Sequence, residues 1–285
     1  MSKLNARSIP VPVLRQGMSL LDRYTPRLAC RVAESLFYTP PPRTMSERAR
    51  RFLSTGELER APFEGGHLAT WRWGEGPTVM VLHGWGGRSS QFSGLVPVLV
   101  SAGCQVVAVD APGHGMSDKR QSSLPAFAEA LRVVASGLGP IRAVIGHSMG
   151  GAAAALAFRQ GLPVEHAVFI ASPADPGRFG KEFATRYGLG DRTIERLRER
   201  VSQRHGIDWR ALSVSSFAPE MQVPLLVVHD KNDADVVYDN ALTYATRWPG
   251  ARLMTTEGLG HSRILHNTDV IREVVRFVAP HEPAT

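Results

Sequence analysis

The sequence predicts an α/β protein with a mostly parallel central sheet, helices on both faces and a small helical cap insertion. Short apolar runs at 78–82, 105–109 and 224–228 have the continuous hydrophobicity of strands that are buried on both faces. Segments with helical spacing separate these runs, as expected when crossover helices join parallel strands. The chain has 285 residues, 43% of them hydrophobic, which is enough for one large core.

The N-terminal part differs in charge from the rest of the chain. Residues 1–51 hold ten Lys or Arg against three Asp or Glu, so this segment accounts for the whole net charge of +7. Residues 1–12 are predicted to form a loose arm, and the helical spacing over 14–37 is divided by Pro26 into two helices.

We therefore expect residues 1–45 to form a basic, partly helical extension. Its apolar face at Leu28, Val32 and Leu36 is predicted to pack on the following domain, 46–285. Contact of the extension with a membrane surface is a less favoured alternative, as is an organelle transit peptide.

The remaining elements follow in order. A short helix at 46–55 is predicted to begin at Ser46, and two alternating segments around a Gly-Gly pair predict a β-hairpin. The hairpin strands are predicted at 59–63 and 67–73. Further strands are predicted at 144–145, 167–171 and 251–255, and helices at 89–102, 124–138, 152–158, 237–248 and 269–278.

The regular alternation of strands and helices stops between about 173 and 222, which predicts the cap insertion. This stretch is more charged, and its clearest helix covers 193–203. Ile194, Leu197 and Val201 lie on one side of that helix, and we expect this narrow apolar stripe to face the sheet domain.

Residues 146–150, Gly-His-Ser-Met-Gly, lie between a β-branched run and an alanine-rich helix. This pattern predicts a strand, a sharp turn and a helix, with Ser148 in a strained conformation at the apex. Gly146 and Gly150 provide the small residues that so close an approach of strand and helix requires. The hydroxyl of Ser148 is a candidate nucleophile.

A serine nucleophile needs a base, and the base needs an acid to orient it. His261 follows the predicted strand 251–255, and three aspartates follow the strand 224–228. Functional groups of such sheets collect beyond the carboxyl ends of the strands, so all of them are expected at one edge. The acid candidates at this point are Asp230, Asp233 and Asp235.

The order of five motifs resembles the α/β-hydrolase fold over residues 60–280. The motifs are His-Gly-Trp-Gly at 83–86, Asp-Ala-Pro-Gly-His-Gly-Met-Ser at 110–117, Gly-His-Ser-Met-Gly at 146–150, His-Asp-Lys-Asn-Asp at 229–233 and Gly-His at 260–261. The resemblance implies an α/β-hydrolase fold with Ser148 as nucleophile, Asp233 as acid and His261 as base. It also implies an oxyanion hole formed by the backbone N–H groups of Trp85 and Met149.

Other side chains compete for these roles. Asp230 and Asp235 stay open as the acid, and Asp175, which follows the strand 167–171, is a minor alternative because some relatives place the acid there. His266 is a weaker candidate for the base. The remaining histidines in the motifs are expected to pack the elbow or shape its adjoining loops: His83, His114 and His147.

The resemblance implies a serine hydrolase that transfers an acyl group to water. The predicted substrate is a small to medium carboxylic ester, with Trp85, Met116 and Met149 bounding its acyl pocket. The same residues would serve a thioesterase or an acyltransferase. A ligand-binding protein without catalytic activity is the alternative from a different class.

Several partners are not expected. The chain has no His-x-x-x-His or paired-cysteine spacing for a metal, and no phosphate-binding glycine motif for a nucleotide, so we predict no metal and no cofactor. The basic extension lacks interleaved aromatic residues, which argues against nucleic acid. Two cysteines, Cys30 and Cys104, favour a reducing compartment, and we predict a cytoplasmic location. The oligomeric state stays open.

Overall fold

Eight strands form one sheet in the computed structural model, which describes residues 11–41, 44–175, 183–205 and 208–279. The strands are β1 (Glu57–Phe63), β2 (Gly66–Trp73), β3 (Thr78–Leu82), β4 (Gln105–Val109), β5 (Ile141–His147), β6 (His166–Ile170), β7 (Leu225–Asp230) and β8 (Arg252–Thr256). Their spatial order is β1-β2-β4-β3-β5-β6-β7-β8. β1, β2 and β4 pair antiparallel, and all other neighbours pair parallel. The predicted mostly parallel sheet is confirmed.

Helices cover both faces of the sheet, as predicted. In chain order, and including those of the N-terminal extension and the cap, the labelled helices are α1 (Val11–Tyr24), α2 (Pro26–Tyr38), α3 (Glu47–Leu53), α4 (Val96–Ser101), α5 (Leu124–Ser136), α6 (Met149–Arg159), α7 (Asp191–His205), α8 (Asp239–Arg247), α9 (Gly260–Arg263) and α10 (Thr268–Val278). Alternate residues of β3 point into two separate apolar cores. Met80 and Leu82 join side chains of α5, α6 and α8, whereas Val79 and Val81 join those of α4 and α10.

The continuous helix predicted over 89–102 is wrong. The chain forms a 3₁₀ turn at Ser89–Phe92 and then a separate helix, α4. Pro97 lies in the first turn of α4, where its missing N–H costs no intrahelical hydrogen bond. In a helix running through from 89 the same proline would occupy the interior and break it.

The N-terminal helices pack against the cap and form a third apolar core with it. Met18, Cys30 and Ala33 are buried there together with Leu197 and Val201 of α7. The expectation that the cap stripe faces the sheet domain is therefore wrong, since α1 and α2 cover it instead. Each segment has an apolar side that the other can cover, and burying these sides against each other removes both from water.

Polar contacts fix this packing. The carboxylate of Asp22 accepts a hydrogen bond from the backbone N–H of Gly190 at 2.9 Å. The side chain of Glu34 is buried and pairs with the Arg200 guanidinium at 2.8 Å. Because a buried carboxylate without a partner would be costly, this ion pair also fixes α2 relative to α7.

Two details of the extension differ from the prediction. Val32 and Leu36 pack at the edge of the third core, but Leu28 is 48% exposed. Most of the predicted loose arm lies outside the described residues, and its last two residues, 11 and 12, belong to α1. Among the helices that the structure describes, none combines the length and the apolar character that crossing a membrane requires.

Candidate active site

Ser148 occupies the sharp turn between β5 and α6, as the sequence predicts. Its backbone has φ of 52° and ψ of −125°, a strained conformation for a residue with a side chain. A Cβ atom on Gly146 would lie 2.4 Å from the backbone of Gly151, and one on Gly150 would lie 2.1 Å from the carbonyl of Leu82. These contacts explain why the turn needs glycine at both positions.

The loop after β3 runs against the serine. A Cβ atom placed on Gly84 would lie only 2.8 Å from the Cβ of Ser148, so backbone and side chain are in direct contact there. Trp85 follows Gly84 in this loop, and Met149 is the first residue of α6. The first-turn N–H groups of a helix have no intrahelical acceptor. Met149 thus follows Ser148 directly in the chain, and the residue before Trp85 contacts Ser148.

Two histidines fix the loops around the serine. The backbone N–H of Ala111 donates to Nε2 of His83 at 3.0 Å, and that of Gly86 donates to Nε2 of His114 at 3.0 Å. Each Nε2 is therefore an acceptor, and each Nδ1–H donates to a backbone carbonyl, of Gly84 at 2.7 Å and of Pro112 at 2.9 Å. Both rings are neutral and shape their loops, as expected for His83 and His114.

Asp110 is a structural residue that sequence reasoning missed. Its fully buried carboxylate accepts hydrogen bonds from the N–H and hydroxyl of Ser89, both at 2.7 Å, and from the N–H of Met116 at 2.9 Å. Burial raises the pKa of Asp110, and these hydrogen bonds only partly offset it. The feature of the sequence that could have indicated this role is Gly115, because a Cβ atom at that position would lie 1.9 Å from the Asp110 carboxylate.

Asp233 is the aspartate that meets His261. The Nδ1–H of His261 donates to Oδ2 of Asp233 at 2.8 Å. Oδ1 accepts from the backbone N–H groups of Asp235 and Val236, both at 2.9 Å. Burial raises the pKa of Asp233, but the hydrogen bonds from His261 and from the backbone outweigh it, so the pKa lies below its ordinary value. The carboxylate is thus held ionised against the ring.

The other acid candidates have different surroundings. Asp230 accepts from Thr256 Oγ1 at 2.8 Å and from the N–H of Leu259 at 2.9 Å, which ties the end of β7 to the loop after β8. Burial raises the pKa of Asp230, but the hydrogen bonds lower it by more, so the pKa lies below its ordinary value. Asp235 is exposed, and Asp175 is half-buried after β6.

One ligand atom from each of Asp233, Asp235 and His261 falls within 4.8 Å of the others. Within this group Nδ1 of His261 donates to Asp233. The group consists of the hydrogen-bonded pair of His261 and Asp233 with the exposed carboxylate of Asp235 beside it.

His147 supports the base from the elbow itself. Its Nε2–H donates to the backbone carbonyl of His261 at 2.9 Å, and the two ring centres are 4.8 Å apart. Burial, and then the positive charge that His261 can carry, lower the pKa of His147 to about 3. His147 is therefore neutral and packs the elbow. His266, the weaker base candidate, is exposed near Gly94.

The residues predicted to bound the acyl pocket differ in exposure. The ring of Trp85 lies 5.1 Å from that of His114 and stacks on Phe127 at 6.3 Å. Trp85 and Met149 are half-buried against the same core, whereas Met116 is 37% exposed. A cavity of about 320 Å³ opens beside residues 86–88, with Arg48 and His266 in its wall.

A family model described as the alpha/beta hydrolase family matches residues 79–274. The chain belongs to this family. Both the sheet topology and the strand–turn–helix at Ser148 agree with the membership, and the resemblance found in the sequence motifs is confirmed. The family includes many different activities, so membership by itself leaves the substrate open.

Two kinds of curated relative are similar to this chain. Serine hydrolase-like protein 2 from Homo sapiens is 36% identical over 121 residues, which is 40% of this chain and 38% of the relative. The chain spans less than half the length of the serine hydrolase-like relatives that it matches. A pimeloyl-(acyl-carrier protein) methyl ester esterase from Aromatoleum aromaticum is 27% identical over 255 residues, covering 70% of this chain and 98% of the relative.

Solved structures share the fold at low identity. A crystal structure described as a putative lipase from Acinetobacter baumannii AYE has a TM-score of 0.63 and 18% identity, covering 81% of this chain and 93% of that one. Est1E from Butyrivibrio proteoclasticus, with bound ferulic acid, has a TM-score of 0.61 and 17% identity, covering 78% and 100%. At this identity the likeness establishes the fold alone.

Proposed function

We propose that this alpha/beta hydrolase cleaves small to medium carboxylic esters through an acyl-enzyme formed on Ser148. The observation that carries the proposal is the 2.8 Å hydrogen bond between His261 and Asp233, which lies against the elbow that holds Ser148. A histidine oriented by a buried carboxylate can take the proton of a serine hydroxyl, and His261 packs on His147, the residue before the strained Ser148.

The proposed reaction has two halves. In the first, Oγ of Ser148 attacks the ester carbonyl while Nε2 of His261 takes its proton, and the alcohol leaves with that proton. In the second, His261 takes a proton from water, the hydroxide attacks the acyl carbon, and the acid leaves as Oγ regains its proton. Asp233 keeps Nδ1 of His261 protonated and stabilises the cation in both halves. The steps use protein groups and water, and no cofactor.

Trp85 and Met149 are proposed to hold the developing oxyanion with their backbone N–H groups. The assignment is supported by Met149 directly following Ser148 and by Trp85 following Gly84, whose backbone contacts Ser148. Losing one such donor typically costs about 10²–10³ in rate, so the loops that position Trp85 contribute to catalysis alongside the triad. Asp110, His83 and His114 are the residues that hold those loops.

The ester class is supported by one relative's name. The relative from Aromatoleum aromaticum is named a methyl ester esterase, and the matched region extends over 98% of its length. Thioester hydrolysis and acyl transfer would use the same three residues. The buried, unpaired thiols of Cys30 and Cys104 suit the reducing compartment of the predicted cytoplasmic location.

Short and middle-length acyl chains should be the best substrates. The apolar stripe of α7 is covered by α1 and α2, so it does not form an exposed lid face for long acyl chains. In a series of p-nitrophenyl esters from acetate to palmitate, the highest kcat/KM should fall at short or middle lengths, without a jump in activity above the solubility limit of the substrate.

The Ser148→Ala variant supplies the background rate for every ester in the series. A thioester of the best acyl group, compared at equal concentration, tests the ester preference directly. A maximum at palmitate, or interfacial activation, would show that the cap opens as a lid. A higher kcat/KM for the thioester would replace the proposed esterase with a thioesterase.

A further inference from the structure

The N-terminal helical pair has a second apolar side that points away from the protein. Val13, Leu20 and Tyr24 on α1 and Leu28 on α2 are 48–71% exposed, and they are four of the nine large hydrophobic residues exposed in the described chain. Positions seven and four residues apart share one side of a helix, so the three α1 residues lie in a row. We call these four residues the outer face.

Arginines surround the outer face. Arg23, Arg27 and Arg31 are exposed, and the guanidinium of Arg23 lies 5.6 Å from the ring centre of Tyr24. Arg27 and Arg31 are one helical turn apart on α2 and flank Leu28 in the sequence. Within the described ranges, no carboxylate pairs with any of the three.

The acidic residues of the same helices are used elsewhere. Asp22 bonds to the backbone of Gly190, and Glu34 is buried against Arg200, so both carboxylates contact the cap. The side of the pair that faces solvent therefore has apolar groups and positive charge without compensating acids.

We propose that the outer face binds the surface of a membrane that contains anionic lipids. Exposed leucine and tyrosine side chains flanked by arginines are the composition of helices that lie in the lipid headgroup region. Arginine side chains can extend their charge to the phosphates while their apolar stems stay in contact with the bilayer. A second copy of the chain fits this face poorly, because two sets of unpaired arginines would meet.

The helices would lie on the bilayer and not cross it. α1 and α2 keep their inner sides in the core shared with α7, so binding through the outer face requires no rearrangement of that core. The cap would then be held at the membrane. The outer face lies outside the proposed active site, so its binding to a membrane does not depend on ester hydrolysis.

Sedimentation of the full chain with vesicles tests the proposal. Vesicles with about 30 mol% phosphatidylglycerol in phosphatidylcholine should bind the protein at least about tenfold more tightly than phosphatidylcholine alone. Raising NaCl from about 0.1 M to about 0.5 M should weaken the binding by about tenfold, since salt screens the exposed charges.

Two triple variants separate the apolar and the charged contributions. Leu20→Ser/Tyr24→Ser/Leu28→Ser should weaken binding to anionic vesicles by about tenfold or more, because it removes the inserted side chains. Arg23→Gln/Arg27→Gln/Arg31→Gln should lower binding to the level seen with phosphatidylcholine. All six side chains are exposed, so hydrolysis of p-nitrophenyl acetate without vesicles should stay at the wild-type rate.

Matched controls change exposed residues of the same types elsewhere. Leu58→Ser/Leu242→Ser and Arg60→Gln/Arg247→Gln should bind vesicles like the wild type. The proposal would be overturned if wild-type protein stayed in the supernatant with anionic vesicles. It would be overturned equally if the protein bound an acidic polymer such as polyglutamate but not these vesicles. Undiminished vesicle binding by both triple variants of α1 and α2 would overturn it as well.

Discussion

Replacing Ser148 with alanine should remove ester hydrolysis while the protein stays folded. We expect kcat to fall by a factor on the order of 10³ or more, because the proposed acyl-enzyme cannot form without Oγ. Alanine keeps the Cβ that contacts Gly84 and adds no atom to the elbow, so the melting temperature should change little. The measurement is kcat for the best p-nitrophenyl ester, together with thermal unfolding of the same preparation.

His261→Ala should cost about as much as Ser148→Ala, and the double variant should be little worse than either single one. Triad members act as a unit, so removing a second member costs little once the first is gone. His266→Ala is the matched control, since it removes an exposed histidine that follows α9 in the chain, and its kcat should stay near wild type. Substantial activity in a contamination-free Ser148→Ala preparation would contradict the assignment of the nucleophile.

Asp233→Asn should be the most damaging change among the acid candidates, with kcat lowered by about 10²–10⁴. The carboxylate accepts the Nδ1–H of His261 at 2.8 Å, and its pKa is held below the ordinary value, so it is ionised at neutral pH. An amide of the same size preserves the packing but cannot stabilise the cation of His261, and it favours the wrong tautomer.

Asp235→Asn and Asp230→Asn are the controls for that change. Asp235 is exposed, and its side chain can be altered with little effect on kcat or on the melting temperature. Asp230 accepts hydrogen bonds from Thr256 and Leu259. Its amide variant should therefore lower the melting temperature clearly and kcat only slightly. A larger loss of kcat in Asp230→Asn than in Asp233→Asn would reverse the assignment.

The strands and the elbow were predictable because their causes are local. β3 and β4 were placed without error, since a parallel strand buried on both faces needs an uninterrupted apolar run. The elbow was predictable for a similar reason. Only small residues fit where strand and helix nearly touch, and the glycines at 146 and 150 show that requirement in the sequence.

Contacts between distant segments were not predictable in the same way. The apolar stripe of α7 was expected to face the sheet domain, but α1 and α2 cover it, because nothing in either segment identifies its partner. Asp110 was missed since its role comes from Ser89 and Met116, which meet only in the fold. Spacing could not by itself distinguish Asp233 from its neighbours, whereas the orientation of the carboxylates does.

Covalent labelling with a fluorophosphonate tests the proposed catalytic serine most directly, because the reagent reacts with a serine that an adjacent base has activated. Wild-type protein should gain one adduct, peptide mass spectrometry should locate it on Ser148, and labelling should stop the hydrolysis of p-nitrophenyl esters. The Ser148→Ala variant should gain none. Absence of labelling in folded wild-type protein, or an adduct on a different residue, would contradict the account and favour a ligand-binding protein built on this fold.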